Sequence, residues 1–156
     1  MALQYSKEQE ALISLVRKVA EAEIKPYVAD ADREGYCPEE LFEWGFDLGL
    51  HLVEIPKEYG GTGLTYETTA MLFEELAKVD AGYAITFVTT FVALRNVILA
   101  GTPEQAQFFA DVINQRKFAA FALTEPNAGS DVSGMHSSAV KTTTELSLIH
   151  ISEPTR

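Results

Sequence analysis

The sequence predicts a mainly α-helical chain that closes with the beginning of a β segment. Three observations carry this. Capping signals at Ser6 and Thr102 each open an apolar-periodic stretch, residues 81–94 hold no charge at all, and one short apolar run, 118–123, has the composition of a buried strand. A chain of 156 residues can bury about 70% of the surface its unfolded form exposes, so no disulfide or metal staple is required. Cys37 is the only cysteine, which removes a disulfide framework or thiolate cluster and fits a reducing compartment.

Each element has its own signal. Ser6 with Gln9 has the capping-box pattern, and Leu12, Leu15, Val16, Val19 and Ile24 follow as an apolar stripe on a first helix expected to end near Pro26. Asp30, Asp32, Glu34 and Gly35 read as a connector. Pro38 suits the first turn of a second helix, with Leu41, Phe42, Trp44 and Phe46 as bulk to bury. Gly60, Gly61 and Gly63 mark a loop. It lacks both the third glycine of a dinucleotide fingerprint and a following GK[ST], so a structural turn is favoured over a phosphate cradle.

Residues 68–77 read as the next helix. Its Glu74 and Glu75 point about 100° apart, which suits a solvated face better than a paired acid and base. The charge-free run from Ala81, extended by 97–100, approaches membrane length. Arg95, three threonines and Asn96 argue instead for a helix buried among other helices. Thr102 caps a last helix with Pro103 in its first turn. The result is a bundle of about five helices.

The net charge of −11 and the absence of a basic patch argue against nucleic acid. The N-terminal residues have neither transit-peptide nor secretory character, so the expected location is cytoplasmic, with no membrane span. His51, His136 and His150 share no ligand spacing, and no metal site is expected. Cys37, with no histidine beside it in sequence, reads as an unreactive thiol.

The segment after the strand-like run carries the chemistry. Thr124-Glu125-Pro126-Asn127-Ala128-Gly129-Ser130-Asp131 is dense in turn formers. Gly129 allows close approach of main chain to a ligand, and Thr124 and Ser130 offer hydroxyls, donors suited to a flavin edge or a phosphate. From Phe121 to Asp131 this stretch resembles the flavin-binding signature of acyl-CoA dehydrogenases. Segments 38–50 (PEELFEWGFDLGL), 55–64 (IPKEYGGTGL), 74–84 (EELAKVDAGYA) and 100–105 (AGTPEQ) resemble the same family in the same order.

The resemblance implies an FAD enzyme performing α,β-desaturation of an acyl-CoA thioester, with electron-transferring flavoprotein as acceptor and a homotetrameric full-length parent. Phe121, Leu123 and Thr124 would lie along the isoalloxazine. Gly129 and Ser130 would continue that wall, with Ser130 also near the CoA portion, and Val88 and Thr89 would lie near the closed end of the acyl pocket. Family members continue into a β-domain and a C-terminal bundle that supplies the glutamate base, and no residue of this chain matches that base. Glu74, Glu75 and Glu125 have no family precedent for the role.

The expected organisation is therefore a helical domain over 1–117, the start of a β-domain with the flavin loop over 118–141, and a tail over 142–156 that reads as non-native and as poorly ordered or only locally structured. Such a truncated member would be inactive alone. It would also expose the apolar surfaces that the missing parts cover, and so self-associate. The alternatives are a free-standing helical module that binds acyl-CoA without redox chemistry, or part of a related acyl-CoA oxidase or flavin monooxygenase.

Overall fold

Helix α1 (Lys7–Val19) opens with the expected capping box: the Ser6 hydroxyl accepts the Gln9 amide at 3.1 Å, and the Gln9 side chain accepts the Ser6 amide at 2.9 Å. In this computed structural model, residues 5–141 and 146–149 are described. They belong to two units, one running to Ala120 and one beginning at Phe121.

The first helix does not end at Pro26. It passes through a π turn (Ala20–Ile24), where the Lys25 amide donates to the Ala20 carbonyl, and continues as α2 (Lys25–Glu34). Pro26 falls in the first turn of α2, where a missing N–H costs nothing, and the wider turn before it eases the clash a proline ring makes with the preceding helical turn. The acidic stretch read as connector is thus helical, and Gly35 closes it in a left-handed conformation (φ 65°).

Helix α3 (Glu39–Asp47) starts at Pro38, and α4 (Tyr66–Val79) is capped by Thr65. Helix α5 (Ala81–Ala100) begins at Asp80, whose carboxylate accepts the Tyr83 amide at 2.7 Å. Helix α6 (Pro103–Asn114) has a full capping box from Thr102 and Gln105.

The core is one cluster built from Val16, Ala20 and Ile24, from Leu41 and Phe46, from Leu72, Phe73 and Leu76, and from Tyr83, Phe87 and Phe91. Ile55, Leu94, Ala110 and Ile113 form a second. The glycine loop is a closed turn. Its amides at Gly61, Thr62, Gly63 and Leu64 donate to Pro56, Leu52, Ile55 and Val53 carbonyls, which leaves no cradle of free donors for a phosphate.

Helix α5 is long and apolar enough by length to cross a membrane. Here one face of it, through Tyr83, Phe87, Thr90, Phe91 and Leu94, is buried as a core element. The expectation of burial on most sides is corrected, since Ile85 and Leu99 are exposed. Arg95 is held by the carboxylate of Glu54 and its guanidinium carbon sits 4.3 Å from the Tyr66 ring centroid, so its charge is paired and lies over an aromatic face.

In the second unit the run 118–123 leads in from the first, but it is not a strand. Its amides and carbonyls find no ladder among the described residues, and apolar composition alone does not make a strand without a partner to pair with. The β structure lies further on, as an antiparallel pair of β1 (Ser138–Lys141) and β2 (Leu146–Ile149) in register Ser138↔Ile149 to Lys141↔Leu146. Part of the segment read as a tail therefore forms a local hairpin, while 142–145 and 150–156 lie outside the described residues.

Candidate functional site: an open amide loop and an apolar helix face

The loop of the second unit is built around Glu125. Its amide donates to Ala128 at 3.0 Å and its carbonyl accepts the Ala128 amide at 3.2 Å, closing a tight turn with Pro126 and Asn127 at the tip. The Glu125 carboxylate accepts the amides of His136 and Ser137, both at 2.7 Å, and so clips the far side of the loop to its start. These amides, His136 first, hold the carboxyl below the ordinary carboxylate range. Asp131 does the same locally, accepting the Ser133 amide at 3.0 Å at the head of a 3-10 turn (Val132–Gly134).

With that scaffold in place, the five residues expected to meet a flavin are all exposed. Phe121 is 46% and Leu123 39% exposed, high for large apolar side chains with no covering group. The hydroxyls of Thr124 and Ser130, and the amides of Leu123, Thr124, Gly129 and Ser130, bond to nothing among the described residues. A Cβ at Gly129 would meet nothing within 4 Å, so the main chain there is open to approach. An apolar wall beside unspent amides and hydroxyls is the donor set a flat heteroaromatic ring with a polar edge requires, and the residues present fit FAD.

Val88 and Thr89 lie on the partly uncovered face of α5, Val88 half-buried and Thr89 exposed, in line with Ile85 and Val92. Every threonine hydroxyl on this helix is spent on its own backbone: Thr86 donates to Gly82 at 2.9 Å, and Thr89 and Thr90 to Thr86 at 3.0 and 3.3 Å. What remains outward is methyl surface. The face is thus chemically apolar and suits a hydrocarbon chain.

None of the carboxylates weighed as a base, Glu74, Glu75 and Glu125, is arranged as one. Glu75 is pulled down to about 2 by hydrogen bonds from Arg17 and then Lys78. It is an ionised structural hub between α1 and α4, which replaces the solvated-face expectation for this residue, since it is buried. Glu74 pairs with Lys78 at 3.1 Å, Glu54 with Arg95, and Glu125 is the loop clip. Among the described residues no cluster could hold a metal ion. Cys37 is half-buried, and burial raises its thiol pKa, as fits an unreactive group.

His51, weighed in the sequence only as a metal ligand, is a buried titratable group. It is 3% exposed, its Nδ1 has no partner among the described residues, and its ring meets Phe46 edge-on at 4.9 Å. Burial, and then the Arg116 charge, push its pKa down to about 4. The sign follows directly: above pH 6.5 the ring is neutral folded and unfolded, and between 6.5 and 4 only the unfolded chain takes the proton. Stability should therefore fall by about 2 to 3 kcal/mol over that window. Urea unfolding at stepped pH measures it, and His51→Phe should flatten the slope there; an unchanged slope contradicts the assignment.

Residues 6–114 match the family described as acyl-CoA dehydrogenase, N-terminal domain. The chain is 36% identical over 138 residues to cyclohex-1-ene-1-carbonyl-CoA dehydrogenase of Syntrophus aciditrophicus, covering 87% of this chain and 33% of that protein. It superposes on butyryl-CoA dehydrogenase of Megasphaera elsdenii with a TM-score of 0.79 at 32% identity, covering 92% of this chain and 39% of the other. An acyl-CoA dehydrogenase complexed with FAD from Bacillus anthracis aligns with a TM-score of 0.73 at 27% identity, over 87% of this chain and 24% of that one. The chain spans about a third of the length of the curated relatives it matches. A helical unit with this cap pattern and core, followed by an open amide loop, belongs to the acyl-CoA dehydrogenase family and covers the N-terminal part of its members.

Proposed function

We propose that the chain provides the acyl-side helix and the first flavin-contact loop of an FAD-dependent acyl-CoA dehydrogenase that desaturates acyl-CoA thioesters at the α,β position. The observation that carries the reading is the set of unspent amides of Leu123, Thr124, Gly129 and Ser130 and hydroxyls of Thr124 and Ser130, on a loop clipped by Glu125. Phe121, Leu123 and Thr124 would line the flavin ring, Gly129 and Ser130 would extend the contact toward phosphate, and Val88 and Thr89 would flank the acyl chain. FAD, when bound, supplies the hydride acceptor. The chain's own residues orient the ring, exclude water from one side of it and wall the hydrocarbon.

The proposal extends to a soluble, cytoplasmic protein acting with electron-transferring flavoprotein, and to a homotetrameric full-length form. On this reading the chain alone is inactive, since Glu74, Glu75 and Glu125 are committed to ion pairs or to the loop. The test adds FAD and then butyryl-CoA to the purified chain and follows amide hydrogen exchange and flavin absorbance. Added FAD should protect amides within 121–131, and butyryl-CoA should leave the flavin unbleached. Bleaching would overturn the inactivity, and absence of any FAD effect on those amides would overturn the flavin assignment. Tight butyryl-CoA binding without an FAD effect would favour a helical acyl-CoA-binding module instead.

A further inference from the structure

The chain leaves α6 under unusual restraint. Arg116 is the one non-glycine residue with a positive φ (60°) among the described residues, a conformation that costs about 1 kcal/mol or more. Its guanidinium spans two carboxylates one turn apart on α3, bonding Glu43 at 3.0 Å and Asp47 at 2.6 Å. Two residues on, the Phe118 ring docks against Phe42, Phe46 and Phe87 with centroids 5.4, 4.8 and 5.4 Å away. The next amide, Ala119, donates to the hydroxyl of Thr90 at 3.4 Å. Thr90 is fully buried, and its hydroxyl in turn donates to the Thr86 carbonyl, so the acceptor is held in one rotamer.

Three different interactions, ionic, aromatic and hydrogen-bonding, thus fall within four residues, and all are made to α3 and α5. Connectors between elements seldom need more than a turn and a solvated backbone. The left-handed Arg116 lies just past the end of α6 with its amide bonded to the Ile113 carbonyl, a common helix stop, and what is added here is the set of long-range contacts that follows it. The segment ends two residues before Phe121, the first of the flavin-contact residues proposed above.

We infer that residues 116–119 form a clasp that fixes the point at which the chain leaves the helical unit, and that Thr90 and Phe118 are positioning residues for the start of the flavin-contact segment. The inference rests on the flavin reading for its target. The clasp itself rests only on contacts within the helical unit. Thr90 takes no part in touching the flavin. It acts through the Ala119 amide, and a side chain of the same shape without the hydroxyl removes that acceptor together with the bond to the Thr86 carbonyl, which Ala119 exchange does not read.

The experiment compares the whole chain with Thr90→Val, Thr90→Ser and Phe118→Leu, following Ala119 amide exchange by NMR and the FAD concentration that half-protects 121–131. Thr90→Val should speed Ala119 exchange by about tenfold and raise the half-protecting FAD concentration at least threefold (about 0.6 kcal/mol). Thr90→Ser should restore both, and Phe118→Leu should mimic Thr90→Val. Unchanged exchange in Thr90→Val overturns the clasp. Faster exchange with unchanged FAD protection overturns the positioning role and leaves Thr90 a local staple. If the parent chain shows no FAD protection at all, the flavin reading fails and takes the positioning role with it, while the exchange ratio still decides the clasp.

Discussion

Phe87→Ala is expected to lower stability by about 3 to 5 kcal/mol, the range for emptying a buried aromatic site. Phe87 has no exposed surface and is ringed by Phe42, Phe46, Tyr83 and Phe118 at centroid distances of 5.4 to 6.4 Å. These neighbours come from α3, α5 and the exit segment, so the site cannot collapse by moving one element. Tyr83 is fixed by its hydrogen bond to the Leu41 carbonyl at 2.9 Å, which blocks the simplest inward shift. Gly45 marks how close the helices already are: a Cβ there would stand 2.4 Å from the Phe87 ring. Chemical unfolding of Phe87→Ala beside Phe87→Leu checks the figure. The leucine variant should recover more than half of the loss, and an alanine variant within 1.5 kcal/mol of the parent (about half the lower bound) would refute the packing account.

Gly61→Ala should cost about 3 kcal/mol, the upper range for overpacking. A Cβ at this position would lie 2.0 Å from the carbonyl oxygen of Ile55 and 2.5 Å from its carbonyl carbon, so main chain has to move. That carbonyl accepts the Gly63 amide at 2.9 Å, and Ile55 itself is buried in the second core cluster. Relief would therefore break a loop bond, displace a core residue, or both. Gly60→Ala offers a contrast, since it carries a left-handed φ of 87° but meets only the tip of the Asn114 amide at 3.1 Å. Paired thermal melts should rank Gly61→Ala below Gly60→Ala, and the reverse order would count against the close approach as the reason for glycine.

The sequence was informative where a signal is local. Ser6 with Gln9 and Thr102 with Pro103 mark helix starts through bonds that reach three residues along the chain. Pro26 was misleading because the structure goes around it with a π turn, which no residue in the stretch announces. The run 118–123 was correctly read as distinct from the helices before it and wrongly read as a strand, since pairing depends on a partner and not on composition. Of the residues proposed to meet a flavin, Thr124, Gly129 and Ser130 were legible from their own chemistry, and Phe121 and Leu123 only through the resemblance to a family. The structure adds why that loop stays open, through Glu125 reaching 11 and 12 residues ahead. The clasp was illegible for a similar reason, as Arg116 and Ala119 meet partners 69, 73 and 29 residues away.

The π turn after α1 also settles a matter of phase. Val16, Ala20 and Ile24 are all buried, and they are spaced by four. At 3.6 residues per turn, steps of four drift by about 40° each, so a regular helix would swing its third anchor well off the core. A single wider turn between the second and third anchors absorbs that drift and lets one continuous rod keep three contacts in line. The residue counted out of step in the sequence is the one that keeps the helix in step with its neighbours.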